Sequence, residues 1–135
     1  MENKFRSRCP ITYALDVFGD KWSLIILRDI VIRGKSHYQE FLGAEEGIST
    51  NILADRLSKL QSHGLIKKSK SPINNKQIVY SSTEKSRDLV PMMVEIISWS
   101  AKYDNNTGVS QAMKTKICEN KQSLIDDILS NYYKK

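Results

Sequence analysis

From the N-terminus, apolar positions fall into helical spacing at Ile11, Ala14, Leu15 and Phe18. Pro10 suits the first position of such a helix, where its missing N–H costs nothing, and Gly19 closes it. Asp20 is a fitting N-cap for a second helix over about 21–32. There Trp22, Leu24, Ile25, Ile26, Leu27, Ile30 and Val31 are apolar nearly all round, which assigns this helix to the centre of the fold. Ser36 and Gln39 can be read as a capping box opening a short helix with Phe41 and Leu42. After a turn over 43–47, Ser49 caps a longer helix from Thr50 to about His63. Its residues Ile52, Leu53, Leu57 and Leu60 point inward, and Gly64 is its stop.

The pattern then changes. Segments 65–70 and 77–81 flank Ser71-Pro72-Ile73-Asn74-Asn75-Lys76, whose proline and asparagines are turn formers, so a hairpin is expected. A helix from Thr83 to about Tyr103 follows, apolar on more than one face, with Pro91 placed to kink it. Residues 104–108 read as a linker. A last helix, about 110–133, carries Met113, Ile117, Leu124, Ile125, Ile128, Leu129 and Tyr132 on one stripe. A short helix, a turn, a capped helix and a hairpin, in that order, make a winged helix-turn-helix. The expected fold is therefore mainly α with a small β-hairpin wing and flanking dimerisation helices. The expected organisation is a flexible basic arm over 1–8, the winged domain over 9–107, and a C-terminal dimerisation helix over 108–135.

Composition adds little to this picture. At 135 residues, 40% hydrophobic and 27% charged, the chain is an ordinary globular one. The net charge of +6 favours a polyanionic partner, and its location says more. Lys67, Lys68, Lys70 and Lys76 occupy one stretch with no acidic residue among them, and Lys4, Arg6 and Arg8 form a second cluster opposed only by Glu2. The polar start Met1-Glu2-Asn3-Lys4 is unlike a signal peptide, and the run Leu24–Leu27 is far too short to span a membrane. Two cysteines make no disulfide framework. A cytoplasmic protein with reduced thiols and no membrane partner is expected.

The placed motifs resemble the HxlR family of bacterial and archaeal regulators, relatives of the MarR winged-helix proteins. The residues that carry the resemblance are Cys9-Pro10, Gly19-Asp20-Lys21-Trp22, Leu27-Arg28, Gly47-Ile48-Ser49, Leu53, Arg56-Leu57, Leu60, Gly64-Leu65-Ile66, Tyr80, Thr83-Glu84 and Trp99. The family usually carries an aliphatic residue at the position of Ser82, and Leu-Gly where this chain has Lys85-Ser86. The resemblance implies a transcriptional regulator, by default a repressor, that binds double-stranded operator DNA and needs no cofactor. Some such regulators sense quinones, aldehydes or oxidants through a cysteine at the place of Cys9.

The major groove admits one helix, whose N-terminal turn reaches base edges. Ser49, Thr50 and Asn51 form that turn, with Asp55 and Arg56 one turn on. Asn51 suits bidentate contact with adenine. Ser49 is equally well explained as a plain N-cap, and Asp55 either reads DNA or holds Arg56 or Lys59 in place. Lys59, Lys67, Lys68, Lys70 and Lys76 are candidate phosphate contacts; the competing reading of the wing lysines is charge protection of an edge strand. Ile73 at the wing tip leaves groove contact and packing on a neighbour both open. Palindromic operators are read by two-fold dimers, and the apolar surplus of the terminal helices supplies the expected homodimer interface: Ile11, Leu15, Met92, Met93, Ile96, Trp99, Ile117, Leu124 and Ile128. The alternative is that these residues close a monomeric core.

Cys9 falls at the N-cap of the first helix beside Arg6 and Arg8, a setting that lowers a thiol pKa. A sensor of a small electrophile or oxidant and a half-buried residue without chemistry are the two readings. His37 and His63 pair with no carboxylate or cysteine at ligand spacing, and no Gly-rich phosphate loop, CxxC or HExxH is present. An enzyme and a metal site are therefore not expected. The remaining rival is a winged-helix protein-interaction module without specific DNA binding.

Overall fold

Proline at its head and Gly19 at its end bound the first helix, α1, Pro10–Phe18. Val17 and Phe18 are buried, while Ile11, Tyr13 and Leu15 face outward. The N-cap position of the second helix is Trp22 and not the expected Asp20, because the helix begins two residues late. Asp20 stands just upstream, its Oδ1 accepting the N–H groups of Trp22 and Ser23 at 2.9 and 3.0 Å. α2 is Ser23–Leu27, and it runs on into a π-helical turn, Arg28–Ile32. π-turns inside helices are rare, and this one carries the buried carboxylate of Asp29, which is only 1% exposed.

The structure, a computed structural model, describes residues 6–132 and divides into two compact units, Met1–Ser86 and Arg87–Lys135. Most of the basic arm expected over 1–8 lies outside the described residues. Of its described part, Arg6 is ion-paired to Asp16 at 2.7 Å.

In the first unit α3, Tyr38–Leu42, is opened by Glu40 rather than by the expected Ser36–Gln39 pair. Its Oε1 accepts the N–H groups of Ser36 and His37 at 3.1 and 3.0 Å. His37, in extended conformation at φ −113° and ψ 145°, is the N-cap, which makes Glu40 the third helical residue and puts its carboxylate over the free N–H groups. α4, Thr50–Ser62, buries Leu53, Leu57 and Leu60. It is framed by Gly47 and Gly64, both at φ 73°, a backbone region where a β-carbon is strained. Strands β1, Ile66–Lys70, and β2, Ile78–Ser82, pair antiparallel with Lys68 opposite Tyr80. The Tyr80 N–H donates to the Ser36 carbonyl at 2.8 Å, and its ring meets Phe41 edge-on at 6.0 Å, so the wing is tied to the start of α3.

Ser86 has a structural use here. The Thr83 N–H donates to Ser86 Oγ and the Ser86 N–H to Thr83 Oγ1, at 3.0 and 3.3 Å, a reciprocal cap for α5, Glu84–Arg87.

The second unit corrects two expected helices. The segment from Thr83 to Tyr103 is not continuous: α5 ends at Arg87 and α6 is Val90–Tyr103. Pro91 stands in the first turn of α6, where a missing N–H is harmless, so the chain restarts there instead of kinking. The last helix is likewise two, α7, Gln111–Glu119, and α8, Lys121–Leu129. Asn120 between them is extended at φ −160° and ψ 90°, and its side chain accepts the Ser123 N–H at 3.2 Å, a new N-cap inside the stripe. Tyr133, expected to end that helix, lies outside the described residues.

α6, α7 and α8 pack on one another. Met93, Ile117 and Leu124, expected at a dimer interface, are buried in this chain's own interior, because the inward sides of these helices consume them. Met92 and Ile128 are half-buried. Ile96, Trp99 and Tyr103 remain exposed on α6. The two units divide after Ser86, whereas the sequence pattern put its boundary at 107/108; the difference is that α6 groups with α7 and α8.

Candidate nucleic-acid interface

Short contacts hold α3 and the start of α4 in place within the first unit. The Tyr38 hydroxyl donates to the Thr50 carbonyl at 3.1 Å, fixing α3 to the first residue of α4. Upstream, Arg28 forks onto Glu46 with bonds of 2.7 and 3.0 Å and reaches Asp29 at 3.0 Å. Arg33 and Lys35 close on the same buried carboxylate at 3.6 and 3.8 Å. The network ties the turn between α3 and α4 to the π-turn of the central helix. The Arg28 guanidinium holds the Glu46 carboxyl down to about 2, so this clamp stays charged throughout the physiological range.

With the turn so fixed, the first turn of α4 faces outward. Ser49, Thr50 and Asn51 are exposed, as are Asp55 and Lys59. Ser49 Oγ accepts the Ile52 N–H at 3.3 Å, so the serine is engaged as an N-cap.

Arg56 sits differently from its neighbours. Its Nε donates to Asp20 Oδ1 at 2.9 Å, across 36 residues of sequence, and its Nη1 donates to Asp55. The arginine expected to read bases is therefore already engaged, and it ties α4 to the segment just before α2. Asp55 accepts from Arg56, the contact that one of its two expected roles requires. Partial burial alone would raise the Asp20 carboxyl. Hydrogen bonds from the Ser23 hydroxyl, the Trp22 N–H, Arg56 and the Ser23 N–H outweigh that and hold it well below the usual carboxylate range.

The wing is cationic and open. Lys67, Lys68, Lys70 and Lys76 are all exposed, and none is ion-paired among the described residues. The turn is internally braced. Ser71 Oγ accepts the N–H groups of Ile73 and Asn74 at 3.2 and 3.4 Å, and Asn74 Oδ1 accepts that of Lys76 at 3.1 Å. At its tip Ile73 is 96% exposed.

Cys9 is an exposed free thiol at the N-cap of α1. Its pKa is lowered by the backbone N–H groups of Thr12 and Ile11 and by the Thr12 side chain. The helix terminus supplies the effect; Arg6, expected to contribute, is turned to Asp16.

The residues that sequence reasoning missed here are Asp29, Tyr38, Glu40 and Glu46. Asp29 left one legible signal, a lone carboxylate ending an apolar run with Arg28, Arg33 and Lys35 around it. Among the described residues no group of three His, Cys, Asp or Glu side chains could hold a metal ion, and no helix is long and apolar enough to cross a membrane.

A helix, a braced turn, a second helix presenting its first turn, and a basic hairpin define a winged helix-turn-helix of the DNA-binding transcription-regulator class. The family description HxlR-like helix-turn-helix matches residues 17–107, and the chain belongs to that family. It is 33% identical over 86 residues to the HTH-type transcriptional regulator sll1512 of Synechocystis, a match covering 64% of this chain and 63% of that protein. The crystal structure of PA1607, solved as a candidate transcription factor, superposes with a TM-score of 0.69 at 34% identity, covering 78% of this chain and 72% of that one. The redox regulator HypR in its oxidised form superposes with a TM-score of 0.63 at 28% identity, over 75% of this chain and 100% of that one.

Proposed function

We propose that this chain is a homodimeric, sequence-specific repressor of transcription that reads a palindromic operator. α4 enters the major groove, and the hairpin β1–β2 lies on the phosphate backbone or in the adjacent minor groove. The observation that carries this reading is the outward first turn of α4 in the same unit as four unpaired wing lysines. Asn51, Thr50 and Ser49 are the base-reading candidates. Asp55 and Arg56 act as positioning residues through the Asp20 bond, and Lys59, Lys67, Lys68, Lys70 and Lys76 contact phosphates. Dimerisation is supported by large apolar side chains left in solvent, Ile11 and Leu15 on α1 and Ile96 and Trp99 on α6, with Ile11 70% and Trp99 67% exposed.

Selection of bound duplexes from a random pool supplies the operator, and a salt titration on it supplies the test. A reader of the phosphate backbone weakens steeply as salt rises, because each neutralised phosphate releases condensed counterions. A protein-interaction module selects no common sequence and shows no salt slope, and that result rejects the proposal.

A second reading concerns control. The exposed Cys9, its thiol acidified by the head of α1, and the similarity to a redox regulator at 28% identity support a redox or electrophile switch at that residue. A thiolate at a helix N-terminus is the form that attacks oxidants and electrophiles.

A further inference from the structure

The packing of α6, α7 and α8 within the second unit leaves an open cleft of about 520 Å³. Ala101 of α6 and the buried Ile117 of α7 form an apolar floor. Each helix then contributes one lysine to the lining, Lys102 from α6, Lys114 from α7 and Lys121 from the first residue of α8, and α6 adds Ser98. Lysine stems extend apolar floors while their heads remain in water. Lys121 lies 3.1 Å from Glu95, itself 62% exposed, and Lys102 lies 5.4 Å from the centre of the Tyr103 ring. Each ammonium has three donors, so both keep capacity for a further acceptor. Lys116, ion-paired with Asp127, is not among the residues that line the cleft. Cys118, an exposed free thiol, stands on the cleft wall.

The size is that of a small-molecule site. Three cations over an apolar floor disfavour a cation or an uncharged polar ligand, and match an anionic head on a short apolar body. We propose that this cleft binds a small carboxylate amphiphile, its head on Lys114 and Lys121 and its hydrocarbon over Ile117 and Ala101. The proposal is independent of whether α4 reads DNA.

Cys118 provides the readout. In the full-length Cys9→Ser protein the rate of Cys118 alkylation by iodoacetamide, a neutral reagent, is followed against octanoate and against octanol at equal concentration. Octanoate is expected to slow alkylation saturably, and octanol to leave it unchanged. Replacing both cations, Lys114→Gln with Lys121→Gln, should raise the half-protecting octanoate concentration about tenfold, since charge-assisted contacts to the carboxylate are lost. No slowing, equal slowing by octanol, or protection that tracks duplex DNA or protein concentration instead of octanoate overturns the proposal. The octanoate–octanol comparison decides without the variants, so it stands even where the double substitution harms folding.

Discussion

Asp20 accepts the N–H groups at the head of α2 and grips Arg56 of α4 at once, and two substitutions separate these duties. Asp20→Asn keeps an oxygen for the Trp22 and Ser23 N–H groups, because asparagine caps about as well as aspartate, but removes the charge facing Arg56. Asp20→Ala removes both. Loss of the cap costs about 1 kcal/mol. The Arg56 bond is to a charged group, yet both side chains are 24% exposed, so solvent screening reduces it to about 1 kcal/mol. The expected destabilisation is thus about 1 kcal/mol for Asn and about 2 kcal/mol for Ala. Urea unfolding is followed by Trp22 fluorescence in a Trp99→Phe background, so that the signal reports the unit containing Asp20. With an m-value of about 2 kcal/mol/M, the midpoints fall by about 0.5 and 1 M. The pH dependence supplies an independent check. The folded-state pKa of Asp20 is depressed, so its contribution is fully present above the unfolded carboxylate value, near 4, and is lost as pH falls below that toward the folded value. Asp20→Asn should therefore flatten the loss of stability below about pH 4–5. An Asn variant with an unchanged midpoint and an unchanged acid slope would refute the pairing of Asp20 with Arg56.

Other residues yield shorter tests. Asn51→Ala should weaken operator binding by about 1–3 kcal/mol while leaving random duplex nearly untouched, measured by fluorescence anisotropy on both DNAs. Lys68→Ala should weaken both DNAs alike and reduce the slope of log affinity against log salt by about 1; an operator-only loss contradicts a phosphate contact. Gly47→Ala meets no neighbouring atom within 4 Å, so its cost is conformational alone, about 1 kcal/mol by urea unfolding, from a φ of 73° that only glycine adopts freely. Cys9→Ser should abolish diamide-induced release of operator DNA, with thiol alkylation in the parent persisting to lower pH than for a free cysteine because its pKa is depressed; full release by the serine variant removes Cys9 from the switch.

Local pattern carried most of the architecture. Pro10 and Gly19 bound α1, Ser49 opens α4, and the Pro and Asn residues between two short strands make the wing, because caps, turns and periodicity act over a few residues and are written in adjacent letters. The lysines of the wing were legible for the same reason, since charge needs no fold to be counted. Where two local signals competed, the sequence ranked them wrongly or missed one: Glu40 displaced Gln39 at the head of α3, and Asn120 interrupted a stripe that reads as one helix. Nothing local says that Asp29 is buried among three cations, that Arg56 faces Asp20 across 36 residues, or that Met93 and Ile117 lie inside while Ile96 and Trp99 lie outside. Burial and ion pairing depend on which distant segments come together, and only tertiary packing decides that. It brings Arg56 onto Asp20 and leaves the turn beginning at Ser49 in solvent.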